Sequence, residues 1–169
     1  TSSAASDVYK RQGTFNQSPS TFSLEKLLWY NKHYLDESSI DELNGMINLK
    51  EFNGSDYSNS VLELIRERCS SLTEFYKNSQ YFFEDPVDFD ETLLKKHIKK
   101  DTHDHLELLR SYLAELESWE LDSLKNILQQ TVDELSIGFG KLGLPLRLAL
   151  TASVNSPSID HVCELLGRE

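Results

Sequence analysis

The chain has 169 residues, 38% hydrophobic and 10% aromatic, enough for one domain or two small subdomains around a core. No apolar run approaches the ~20 residues that span a bilayer, and no signal-peptide pattern opens the chain, so a soluble cytoplasmic protein without a membrane partner is expected. A net charge of −11, from 17 basic and 28 acidic residues, opposes any nucleic-acid role that lacks a local basic face.

Residues 1–13 share no periodicity with the rest of the chain and are read as a non-native or junction segment. From Ser23, the residues Leu24, Leu27, Leu28, Tyr34 and Leu35 fall on one helix face. Ser39-Ile40-Asp41-Glu42 spells a capping box that opens a short helix to about Ile47. Asn53-Gly54 breaks the chain. The helix after it should point Tyr57, Val61, Leu62, Ile65 and Cys69 inward. A second capping box, Ser71-Leu72-Thr73-Glu74, begins a new helix almost where that one ends. Arg66 and Arg68 are thus expected in a last helical turn, where basic residues offset the helix dipole.

Tyr81-Phe82-Phe83 closes this helix and Glu84-Asp85-Pro86 forms a loop. Leu93, Leu94 and Ile98 mark a short helix bearing Lys95, Lys96, Lys99 and Lys100; Leu106, Leu109, Leu113 and Leu116 mark the next. Ser118 is the expected cap of a long helix through Leu121, Leu124, Leu128, Val132 and Leu135. Glycine-rich 138–143 reads as an interhelical loop, Pro145 as a first helical position, Ser156-Pro157 as another start and Gly167 as a stop. Arg147, alone among leucines, must reach water or an anion. No β-alternation occurs. The expected fold is all-α, a helical bundle or cage of two small packed subdomains, 14–85 and 86–169. Cys69 and Cys163, both on apolar helical patterns, are read as free buried thiols of a reducing compartment, with a disulfide between them as the alternative.

The chemistry-bearing motifs are sparse. Gly138-Phe139-Gly140-Lys141-Leu142-Gly143 matches GxGxxG, but a dinucleotide fingerprint needs a strand before it, and a P-loop needs Ser or Thr after the lysine. His97, His103 and His105 lie among aspartates without the spacing of a structural zinc site, so no metal site is assigned. No nucleophile has a positioned base. The lysine run at 95–100 reads as a solvated helix face, with contact to a phosphate backbone as the alternative.

Several blocks, in order, resemble the C-terminal anticodon-binding region of bacterial glutamyl-tRNA synthetases, the class I glutamate–tRNA ligases. They are Ser20–Tyr34, Glu67-Arg68-Cys69-Ser70-Ser71-Leu72-Thr73-Glu74-Phe75, Ser79–Asp85, Lys95-Lys96-His97, and the closing "GKLGLPLRLALT…SPSID…LLG". The resemblance covers about 14–169 and implies an all-helical anticodon-binding cage without the catalytic half. ATP and magnesium would serve the full-length enzyme, and this piece would need no cofactor and catalyse nothing. Its implied partners are tRNA-Glu and its own catalytic domain, with the protein a monomer. The chain also ends short of a terminal helix that the family usually carries.

The family's anticodon readers fall on Arg68, Arg147, Ser156, Pro157 and Ile159, and Arg at position 68 goes with acceptance of glutamate tRNA over glutamine tRNA. These roles suit a splayed anticodon loop, whose bases are read on their edges. Arg66, Lys95 and Lys99 are further candidates for the RNA backbone. Two departures stand out: Ala152 replaces a glycine usual in the family, and Ser156 occupies a position that varies. The competing reading is an acidic all-helical scaffold for protein partners without RNA binding. The two are separated in space, because RNA binding requires Arg66, Arg68, Arg147 and the 156–159 turn to share a surface.

Overall fold

The computed structural model describes residues 23–47 and 50–168. The expected junction segment, 1–13, lies outside them. Among the described residues there are nine α-helices and no strand: α1 (Leu24–Glu37), α2 (Ile40–Ile47), α3 (Asp56–Arg66), α4 (Leu72–Ser79), α5 (Glu91–His97), α6 (Thr102–Glu115), α7 (Leu121–Glu134), α8 (Gly140–Thr151) and α9 (Ile159–Leu166), with a 3₁₀ turn at Gln80–Phe82.

Local chemistry sets most of the helix starts. Ser23 caps α1 by accepting from the Lys26 N–H at 3.3 Å. At α2 both halves of the capping box form, the Ser39 N–H donating to Glu42 Oε2 at 2.8 Å and the Glu42 N–H to Ser39 Oγ at 3.3 Å. Those bonds favour the ionised Glu42 carboxyl and hold it below the usual carboxylate range. The α4 box is displaced by one residue, since Glu74 Oε2 accepts from the Ser70 N–H at 2.6 Å. Gly54 (φ +76°) and Gly167 (φ +79°) take the left-handed turns that precede α3 and follow α9.

One continuous core joins the two halves. Leu43, Val61, Leu62, Ile65, Cys69 and Phe75 meet Leu109, Leu124, Leu128, Leu142, Ile159 and Val162. Helix α9 joins them by packing on α3 as well as on α7 and α8. Each such side chain contributes about 1.5–3 kcal/mol when fully buried. Polar groups in the seams are paired: Tyr57 Oη donates to the Phe82 carbonyl at 2.8 Å and Trp119 Nε1 to the Cys163 carbonyl at 2.9 Å. Both cysteines are free and buried, and burial pushes the thiols up to about 11 at Cys69 and about 12 at Cys163.

Five local expectations are corrected. Pro145 lies inside α8 and is fully buried, so packing of its ring offsets a lost hydrogen bond and a ring clash that together cost about 3 kcal/mol in a helix interior. Gly140–Gly143 belongs to the first turn of that helix and is not loop. The long helix α7 is not capped by Ser118; its first N–H, from Leu121, donates to Glu164 Oε1 of α9 at 3.0 Å. Helix α9 starts at Ile159 with Ser158 in the cap position, one residue after Pro157. The apolar face of α1 stays exposed apart from half-buried Leu28 and buried Leu35, because little of the described chain covers it.

Candidate nucleic-acid interface

After Thr151 the chain reverses through Ala152 in the left-handed region (φ 49°, ψ 17°) and returns along α8 before α9 begins. The Thr151 hydroxyl stitches the turn. It donates to the Arg147 carbonyl at 2.9 Å and accepts from the Ser153 N–H at 3.3 Å. This fold-back lays residues 156–158 beside Arg147. Arg147 Nη1 donates to Ser156 Oγ at 2.7 Å and also to the Ser156 and Pro157 carbonyls. Ser156 and Pro157 are themselves buried. The unpaired charge expected among leucines therefore finds carbonyl dipoles, through one of its nitrogens.

The other arginine of the pair arrives from α3. Beyond Arg66 the backbone tightens, with the Arg68 N–H donating to the Ile65 carbonyl at 2.9 Å, and this places Arg68 outside the helix and exposed. Its guanidinium lies near enough to act on Arg147. Burial first, and then the Arg68 charge, hold Arg147 below the ordinary arginine value. Tyr81 sits between them electrostatically. Burial pushes its hydroxyl well up while the charges of Arg147 and Arg68 oppose that rise. Its oxygen is buried with no hydrogen-bond partner among the described residues.

A cleft of about 340 Å³ opens on the other side of Arg147, lined by Lys125, Phe139, Ser158, Ile159 and Asp160. Phe139 is 45% exposed there. Its ring rests on the α8 backbone because residue 143 is glycine: a Cβ at 143 would stand 2.6 Å from Phe139 Cε1. Burial raises the Asp160 carboxyl, but hydrogen bonds from Ser158 Oγ and from backbone N–H groups outweigh burial and hold it below the usual carboxylate range. An aromatic face, spare guanidinium donors and a carboxylate acceptor in one cleft suit a flat, polar-edged ring such as a nucleobase.

Arg147, Ser156, Pro157 and Ile159 thus meet at one corner, with Arg68 within electrostatic reach of Arg147. Contrary to the surface expected of an RNA partner, Arg66 does not join them, since its guanidinium donates to the Leu35 carbonyl at 3.2 Å and to those of Asp36 and Ser38, closing the end of α1. Lys95 pairs with Glu91 at 2.9 Å, and Lys99 Nζ caps α5 by donating to the Lys95 carbonyl at 2.8 Å. Tyr81, Lys125, Phe139 and Asp160 were not singled out by sequence reasoning. Phe139 was legible as the bulky residue of the glycine motif, yet only its contact with Gly143 gives it a role.

The Anticodon binding domain family matches residues 24–169. The glutamate–tRNA ligases of two Francisella tularensis subsp. holarctica strains, FTNF002-00 / FTA and LVS, are each 38% identical over 163 residues, covering 90% of this chain and 35% of their own length. A crystal structure of a glutamate tRNA ligase from Elizabethkingia meningosepticum superposes with a TM-score of 0.76 at 25% identity, over 87% of this chain and 30% of that one. The Elizabethkingia anophelis glutamate-tRNA synthetase gives 0.72 at 25% identity, with the same coverage of each chain. The chain therefore spans about a third of the length of the relatives it matches, and it belongs to the anticodon-binding domain family.

Proposed function

We propose that this domain reads the anticodon loop of tRNA-Glu on behalf of a glutamate–tRNA ligase whose catalytic half lies outside the present chain. The observation that carries the reading is the corner where Arg147 donates to the 156–157 turn and keeps donors free beside the exposed Phe139 ring, with the Arg68 charge close enough to act on Arg147. A scaffold has no need to bring two arginines together against mutual repulsion. A ligand with base edges and phosphates compensates both. The Arg68 guanidinium makes no hydrogen bond or ion pair among the described residues, so its planar fork is available to a base edge. Ser156 acts through Arg147, which it helps to orient, and Ile159 forms part of the apolar floor.

The parent enzyme would use ATP and magnesium in its catalytic half. The residues of this chain do not fit an ATP phosphate cradle, since Gly140–Gly143 is helical and Lys141 is followed by leucine. The two-subdomain reading, 14–85 and 86–169, rests on the stretch 85–90, which forms no helix between α4 and α5, while one core runs across both halves. A cytoplasmic monomer remains our reading; no described helix is long and apolar enough to cross a membrane.

Titration with glutamate and glutamine tRNA transcripts at two salt concentrations tests the proposal. Binding that weakens with salt and prefers glutamate tRNA is expected. Arg68→Ala should reduce that preference about tenfold, within the 1–3 kcal/mol of a good bidentate base contact. Equal weak binding of both RNAs, unchanged by the substitution, would favour the scaffold reading.

A further inference from the structure

A second cleft, of about 400 Å³, lies between the C-terminal end of α5 and the N-terminal end of α8, which pack together. Lys96, Lys99 and Lys141 line it, with Asp101 as the one carboxylate. That balance is unusual for a chain of net charge −11. The lysines divide into two kinds. Lys99 is spent on the Lys95 carbonyl at 2.8 Å. Lys96 and Lys141 are exposed and their ammonium groups make no hydrogen bond or ion pair among the described residues. They reach the same opening from different helices, and Gly140 adds the positive end of α8 to it.

A second observation is independent of the lysines. His105 lines this cleft although it is only 9% exposed, and its Nδ1 is buried without a hydrogen-bond partner. Its Nε2 lies a long 3.9 Å from the Asp101 carboxylate. A buried polar atom left unpaired costs about 1–3 kcal/mol; Nδ1 is shut off from solvent, so the ring forms the inner wall of the cleft and responds to a ligand there without bonding it.

We infer that the α5–α8 cleft is a phosphate-binding site, separate from the arginine pair, that holds a phosphodiester of the RNA backbone through Lys96, Lys141 and the α8 N-terminus with His105 behind them. This rests on the reading that the domain binds tRNA. It also answers how an acidic chain binds RNA, since backbone affinity is concentrated in one cleft while the remaining surface repels non-specific strands. Phosphate contacts position a nucleic acid and carry no sequence information. The cleft therefore sets affinity and salt dependence, and Arg68 sets preference.

The test is a salt-dependent titration of the whole chain with glutamate and glutamine tRNA transcripts, for wild type, Lys96→Gln/Lys141→Gln and Lys96→Arg/Lys141→Arg. The His105 ring signals are followed by NMR as tRNA, and separately inorganic phosphate, is added. Loss of this one phosphodiester contact should lower the slope of log affinity on log salt by about 0.7–0.9 and the affinity about tenfold at low salt. The glutamate-over-glutamine ratio should not change, the arginine variant should restore the slope, and tRNA should move the His105 signals.

An unchanged slope and affinity in the glutamine variant would overturn the inference and leave the anticodon reading intact. So would His105 signals that answer to inorganic phosphate but not to tRNA, which would mark a site for the free anion. A normal slope effect without any preference between the two RNAs would support the cleft and remove the anticodon reading. Failure of wild type to bind either RNA would overturn both.

Discussion

Arginine closes two corners of this molecule by the same device and to different ends. At the α1–α3 corner the Arg66 side chain donates through Nε and Nη2 to three carbonyls at the end of α1, and Lys32 Nζ returns the contact by donating to the Arg66 carbonyl at 3.0 Å. At the α8–α9 corner Arg147 donates to the 156–157 turn through Nη1 alone and remains half-buried beside an open cleft. The first corner is closed in on itself. The second keeps donors in reserve and has another arginine beside it. Whether an arginine is structural or recognises a ligand is decided by how many of its five N–H donors the fold consumes.

The largest effect should come from breaking the closed corner. Leu35 is the only buried residue of α1, so Arg66 and Lys32 supply much of what holds that helix in place. Arg66→Ala removes charge-assisted bonds worth about 2 kcal/mol net, with water replacing part of the loss. The expected result is local: amide protection in α1 falls about thirtyfold by hydrogen exchange, while the melting temperature of the core and the tRNA preference change little. A loss of tRNA preference as large as that of Arg68→Ala would mean that both corners read RNA.

A smaller effect should sharpen the open corner. Gly143→Ala places a methyl where the Phe139 ring now lies. That ring is 45% exposed and free to swing outward, so the stability loss should stay below about 1 kcal/mol. Affinity for a tRNA transcript should still fall several-fold, because a stacking platform leaves the cleft; one base–aromatic stack is worth about 1–3 kcal/mol. Unchanged binding, with the ring shown to have moved, would take Phe139 out of the interface.

These two variants also mark what was legible in the sequence. The Ser39 and Ser71 boxes could be read because donor and acceptor lie within four residues of each other. The start of α7 could not, since Glu164, 43 residues away, supplies the acceptor for Leu121. Likewise a buried Pro145 inside α8 contradicts local propensity, and only the packing of α5, α6 and α9 on that helix makes it tolerable. Reading 138–143 as loop hid Phe139, whose place depends on a helical Gly143. For Arg147 the requirement was legible but the partner was not: isolation among leucines demanded compensation, and carbonyls of a fold-back turn provide part of it.

The smallest predicted effect concerns the turn that makes this fold-back. Ala152 has a left-handed backbone (φ 49°), which crowds its Cβ against the following carbonyl and costs roughly 1–2 kcal/mol in an L-residue. Glycine adopts the same conformation without that contact, but the unfolded chain then gains freedom worth about 0.4–1 kcal/mol, which opposes the gain. The balance favours Ala152→Gly by about 0.5 kcal/mol, a rise of one to two degrees in melting temperature for a domain of this size. Because the turn already forms in the present chain, held by Thr151 and Ser153, the substitution should leave tRNA affinity as it is. Higher stability with weaker binding would show instead that the strained turn sets the position of Ser156 against Arg147, and that the open corner depends on strain the closed corner does without.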